Sequence, residues 1–193
     1  VPGFVVTPRV ILGNFSFQKM AMVKDLQQRG TELAQHDLIA AIAGDPTARQ
    51  AVRARRTDID PRQLDRQPPD DEFLIRDADS SQQRAIAAVL ASEDGVINGP
   101  PGTGKSQTIA NLIATLAARG RGVLFVAEKR AALEVVLRRL EQAGLGHLAL
   151  DLHGADVSRR EVVQQIARSL KLVRDTVAVN AEDIHRRFED RRR

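Results

Sequence analysis

Eight consecutive residues, Gly99-Pro100-Pro101-Gly102-Thr103-Gly104-Lys105-Ser106, fit the pattern G-x-x-x-x-G-K-[ST] at every fixed position. The residue types answer a physical demand. Backbone N–H groups must converge on phosphate oxygens, and glycine lets the chain turn that tightly with no Cβ in the way. A helix opening at the end of the loop points the positive end of its dipole at the same phosphates. Lys105 supplies a mobile cation for the β- and γ-phosphates, and the Ser106 hydroxyl is a ligand for Mg²⁺. Lys105 and Ser106 are therefore the catalytic candidates, and the chemistry is that of a nucleoside triphosphate held with Mg²⁺.

Hydrolysis asks for more than binding. It usually needs an acidic pair at the end of another apolar strand, one carboxylate for Mg²⁺ and one to orient water. The downstream candidate is Leu148-Ala149-Leu150-Asp151-Leu152-His153, which offers one Asp with no acidic neighbour. Asp151 reads as a strand-end polar residue, and residues 155–193 show no apolar strand followed by Asp-Glu. The expectation is a chain that binds ATP without efficient hydrolysis, with the rest of the machinery outside it. His36, His147, His153 and His185 show no ligand spacing with one another or with carboxylates.

The elements that must position the loop are legible around it. Ser80 with Gln83 reads as a capping box opening a helix that carries Ile86, Val89 and Leu90 on one face. A strand at 95–98 leads into the loop. A helix with Ile109, Leu112, Ile113 and Leu116 on one face follows and stops at Gly120. A second strand at 123–127 precedes a helix carrying Leu133, Val136, Leu137 and Leu140, stopped by Gly144. A third strand at 148–152 precedes a capping box, Ser158 with Glu161, and a helix with Val163, Ile166, Ala167 and Leu170 at helical spacing. Apolar strands alternating with amphipathic helices predict an α/β fold, a parallel sheet covered on both faces. This P-loop domain is expected over 80–193, incomplete on its C-terminal side.

Residues 1–44 read as a helical segment, one helix over 16–29 ending at Gly30 and a second opening at Thr31. Residues 45–79 are rich in Arg, Asp, Gln and Pro with little apolar periodicity, and read as a linker. The 193 residues carry 42% hydrophobic content, enough for a core. The absence of Cys excludes disulfide scaffolds, thiolate zinc sites and thiol catalysis. No apolar run reaches the roughly 18 residues of a membrane helix, so no membrane partner and a cytoplasmic location are expected. A net charge of +4 permits a phosphate-bearing partner without proving one, while six Phe with no Trp or Tyr leave few platforms for stacking on bases.

Residues 77–154 resemble the superfamily 1 helicases, specifically the 5′-to-3′ branch that includes the nonsense-mediated-decay RNA helicase and large bacterial relatives. Ser81-Gln82 stands where that family places the glutamine that reads the adenine edge. Gly99 to Ser106 followed by Gln107-Thr108-Ile109 matches helicase motif I. Residues 123–132, ending Glu128-Lys129-Arg130-Ala131-Ala132, sit where motif Ia contacts single-stranded backbone, and Leu152-His153-Gly154 falls near the next strand-end motif. Residues 8–17 also look like the segment preceding the motor in large bacterial helicases.

The resemblance implies a RecA-like fold, ATP and Mg²⁺ as ligands, and single-stranded DNA or RNA as partner of the full-length parent. It assigns adenine contact to Gln82 and nucleic-acid contact to Lys129 and Arg130. The family's acidic motif II and second RecA-like domain have no counterpart among residues 1–193. Physics independently marks Lys129 and Arg130, because cations at a helix N-terminus oppose its dipole by about 0.3–1 kcal/mol each. Two other readings stand beside the helicase. One is an AAA+ remodelling ATPase, which would place an acidic pair near 155–170, where none occurs. The other is a nucleotide-dependent scaffold whose residues 1–79 bind a partner.

Overall fold

The computed structural model describes residues 5, 8–10, 19–55, 59–64, 67–91, 94–152, 158–177 and 180–192. The chain divides into two compact units, Val1–Arg56 and Thr57–Arg193.

In the first unit, α1 (Met20–Ala34) is followed by α2 (Asp37–Ala43) and α3 (Pro46–Ala54). Gly30, expected to end the first helix, lies inside α1. A glycine inside a helix costs only about 0.5–1 kcal/mol relative to Ala, too little to stop one whose flanks favour it. Helix α1 runs on to Ala34, with Gln35 as its C-cap, and it is the second helix, α2, that stops at a glycine, Gly44 at φ 111°, as its sequence suggests. Residues 45–54, expected as linker, form α3. The Asp45 side chain accepts from the Ala48 amide at 2.8 Å and Pro46 occupies the first helical position, a strong start signal for a segment with few apolar residues. Arg49 Nε donates to the Ala41 carbonyl at 2.9 Å, and Arg55 pairs with Asp37, so two polar links tie α3 and its end to α2.

The second unit opens with a single turn, α4 (Pro61–Leu64), and a 3₁₀ turn at Pro69–Asp71. Then come α5 (Ser80–Leu90), α6 (Lys105–Ala118), α7 (Arg130–Gln142), a 3₁₀ turn at Gly146–Leu148, α8 (Arg159–Asp175) and α9 (Glu182–Arg192). Helix α6 packs against both α5 and α7, and the core consists of Ile86, Ala110, Ala114, Val136 and Leu140. The N-cap of α5 is Asp79, not Ser80: its side chain accepts from the Gln82 amide at 2.8 Å. The Ser158–Glu161 capping box forms as expected at the start of α8.

The three expected strands are not formed. Among the described residues no backbone is paired into a ladder; 95–98, 123–127 and 149–152 are non-helical connections, and Leu148 closes the 3₁₀ turn. Residues 123–127 and 148–152 nonetheless line, together with α6 and α7, one cavity of about 610 Å³. Their side chains keep the period-two pattern of a strand: Phe125 and Ala127 are half-buried, while Leu124 and Val126 are exposed. A ladder needs a neighbour in hydrogen-bonding register, and one or two isolated segments are marginal in water. Helix α8 shows the same incompleteness, with Val163, Ile166 and Leu170 all exposed. No helix among the described residues is long and apolar enough to cross a membrane.

Candidate nucleotide-binding site

The loop between residue 98 and α6 is shaped by two glycines in the left-handed region, Gly102 at φ 87° and Gly104 at φ 74°. Gly104 is also the N-cap of α6. A Cβ built on it would come within 2.6 Å of Gln82 Nε2 and 2.9 Å of Gln107 Oε1, and one on Gly99 within 2.6 Å of Thr103 Oγ1. The turn therefore needs glycine for its conformation at Gly102 and Gly104, while the side-chain ends that a Cβ would meet would have to shift. Thr103 Oγ1 donates to the Pro100 carbonyl at 2.9 Å, and Lys105 Nζ donates to the Pro100 carbonyl at 2.7 Å and to that of Gly99. Pro100, Pro101, Gly102 and Thr103 are exposed, while Ser106 and Gln107 are half-buried at the head of α6.

Gln82 arrives at this loop from a distant part of the sequence. Its Nε2 donates to the Thr103 carbonyl at 3.0 Å, so the α5 glutamine and the loop lie side by side. An exposed glycine turn, a helix N-terminus, a loop-held ammonium and an adjacent hydroxyl have the chemistry a triphosphate with Mg²⁺ requires. Lys105, Ser106 and the backbone of 102–104 would hold such a group.

Lys129 is the N-cap residue of α7 and exposed, and Arg130 is its first residue. Arg130 is engaged by carboxylates: Nε reaches Glu134 Oε1 at 2.8 Å and Nη2 reaches Asp151 Oδ2 at 3.4 Å. Asp151 is in turn tied to α8, its amide donating to Gln165 Oε1 at 3.1 Å. The expected strand-end motif at His153-Gly154 lies outside the described residues, as do residues 11–17 of the upstream resemblance. Among the described residues no group of three or more His, Asp or Glu side chains could hold a metal ion.

Sequence periodicity points to Ile109, Leu112, Ile113 and Leu116 as the buried face of α6, yet these are half-buried, and the buried residues include Thr108, Asn111 and Thr115. The reason is a strap over residues 71–76, running from the 3₁₀ turn through a bend at 75–76. Asn111 Oδ1 accepts from the amides of Ile75 and Arg76, both at 3.0 Å, and its Nδ2 donates to the Arg76 carbonyl at 3.0 Å. Thr115 Oγ1 donates to the Phe73 carbonyl at 3.5 Å, and Arg119 pairs with Asp71 at 2.7 Å. The one signal available in the sequence was an amide side chain inside an apolar helical run.

A family profile described as an AAA domain matches residues 77–188. The chain is 39% identical over 97 residues to an uncharacterized ATP-dependent helicase of Mycoplasma genitalium, which is 50% of this chain and 8% of that relative. It is 30% identical over 102 residues to the DNA polymerase alpha-associated DNA helicase A of Schizosaccharomyces pombe, 47% of this chain and 16% of the relative. It is 35% identical over 88 residues to the DNA replication ATP-dependent helicase/nuclease of Xenopus laevis, 43% of this chain and 8% of the relative. The chain thus spans a small part of the length of these relatives. No solved structure gives a significant match. The family match supports a RecA-like P-loop NTPase fold, and the helicase relatives bear out the helicase resemblance.

Proposed function

The chain belongs to the AAA-domain family that it matches over residues 77–188, and from that premise we propose that it is the ATP-binding portion of an ATP-dependent helicase. In the full-length parent, ATP hydrolysis would drive translocation on single-stranded DNA or RNA. Residues 80–193 form the first RecA-like domain of that motor. Gly99 to Gln107 hold ATP with Mg²⁺, with Lys105 on the β- and γ-phosphates, Ser106 on the metal and Gln82 on the adenine. Mg²⁺, when bound, would neutralise part of the triphosphate's charge. Lys129 and Arg130 contact the nucleic-acid backbone.

The observation that supports this reading is the hydrogen bond from Gln82 Nε2 to the Thr103 carbonyl at 3.0 Å, which sets the Gln82 side chain beside the loop proposed to hold the phosphates. The AAA+ remodelling alternative has the same loop, but the relatives named above are helicases. Calorimetric titration of ATP and GTP in Mg²⁺ tests the site on this chain, with Gln82→Ala expected to erase any preference for adenine. Strand-displacement assays on the full-length parent test the motor. No duplex unwinding and no nucleic-acid-stimulated turnover would favour the scaffold reading instead.

A further inference from the structure

We propose that Asn111 is a positioning residue for base recognition, acting through Gln82; this rests on the reading of Gln82 and the loop just given. Asn111 is 0% exposed, yet it is a polar residue on a core helix, and all its bonds go to one short stretch of backbone. That backbone leads directly to Asp79, which caps α5, and so to Gln82, whose amide returns to Thr103. Two residues on, Lys105 opens the helix that carries Asn111. The links form a closed circuit: phosphate-loop helix, Asn111, strap, cap, glutamine, phosphate loop. Burial alone is non-directional, whereas three hydrogen bonds from one planar amide set both distance and orientation.

The strap fits α6 for a geometric reason. Its contacts fall at Asp71, Phe73 and Ile75–Arg76, two residues apart, against Arg119, Thr115 and Asn111, four apart and in the opposite direction. Both sides of the contact thus advance together along α6 over this short span. Asn111 is the rung nearest the loop and the most buried of the three. The register of Gln82 over the loop is thereby set from about two turns further along the same helix.

The test separates base recognition from phosphate binding. The affinities of ATP and of inorganic tripolyphosphate, both with Mg²⁺, are measured calorimetrically for the 193-residue chain and for Asn111→Leu, Gln82→Ala and the double variant. Asn111→Leu is expected to lower the ATP-to-tripolyphosphate affinity ratio about threefold to tenfold, the worth of one hydrogen bond. Gln82→Ala should lower it equally, and the double variant no further. Parallel loss of both affinities in Asn111→Leu would mark a merely structural role and overturn the proposal. A ratio lowered by Gln82→Ala but untouched by Asn111→Leu would overturn the positioning role and leave the base contact standing. A ratio untouched by Gln82→Ala would overturn the base contact, and the positioning role with it. Should Asn111→Leu lose its cooperative melt, Asp79→Ala cuts the circuit at the cap that joins the strap to Gln82; an unchanged ratio there would equally overturn the proposal.

Discussion

The Lys105 ammonium lies on the Pro100 carbonyl at 2.7 Å and also on that of Gly99, folded back into its own loop. Loop carbonyls thus hold the cation at the place where phosphate oxygens would compete for it. A phosphate oxygen carries a full opposite charge where a carbonyl carries only a dipole, so the ammonium has reason to exchange carbonyls for phosphates on binding.

Lys105→Ala should therefore weaken ATP binding in Mg²⁺ by roughly tenfold to a hundredfold, the equivalent of about 1.5–3 kcal/mol for a lost charge-assisted contact. Isothermal titration of both proteins with a non-hydrolysable analogue checks this. Equal affinities would remove the loop from the site.

The start of α5 supplies a stability prediction. Asp79→Ala deletes the side chain that accepts from the Gln82 amide, and losing an N-cap costs about 1 kcal/mol, or about 2–6 °C in Tm for a unit of this size. Asp79→Asn should keep most of it. The comparison by thermal circular dichroism is decisive because Ser80→Ala, at the position the sequence favoured as cap, should leave Tm unchanged.

That pair of residues shows what was legible. The loop, its helix and the Ser158–Glu161 box were readable because each is a local pattern whose residue types alone satisfy the backbone. Asp79 and Ser80 are both good caps, and only the backbone at Asp79, extended at φ −74° and ψ 168°, decides between them. Asn111 was hidden because its partners lie 35 and 36 residues away. Residues 123–127 and 148–152 have the composition and alternation of strands, but pairing is a property of neighbours, and composition cannot supply those. Residues 45–54 were mistaken for linker because α3 is held by a cap and by arginine bonds, neither of which has an apolar period.

Nucleic-acid binding by this chain should be weak and steeply salt-dependent. Arg130 is shared between Glu134 and Asp151, which leaves Lys129 the freer of the two expected contacts to act by counterion release. Each phosphate contact on a single strand contributes about 0.7 to the slope of log affinity against log salt. Fluorescence anisotropy with a labelled single strand at several salt concentrations should give a slope that falls by about that much in Lys129→Ala. Tight binding that survives high salt would point to a base-stacking surface that the six Phe residues do not suggest.

The last prediction concerns turnover. Cleaving the γ-phosphate needs a carboxylate to hold the metal and orient water, and by the helicase resemblance an arginine from a second domain. Asp151, at the end of the apolar run 148–152, is the carboxylate nearest in type, but its Oδ2 faces Arg130 at 3.4 Å and its backbone is tied to Gln165. Arginines of the missing kind are worth about 10³–10⁵ in rate in other phosphoryl-transfer enzymes. Residues 1–193 should then bind ATP yet release phosphate at background, while the full-length parent should turn over and do so faster with single-stranded nucleic acid. Phosphate release is measured for both, with Lys105→Ala controlling for contaminants. Robust turnover by the short chain that is lost in both Lys105→Ala and Asp151→Asn would make Asp151 the missing carboxylate, released from Arg130 when ATP is bound.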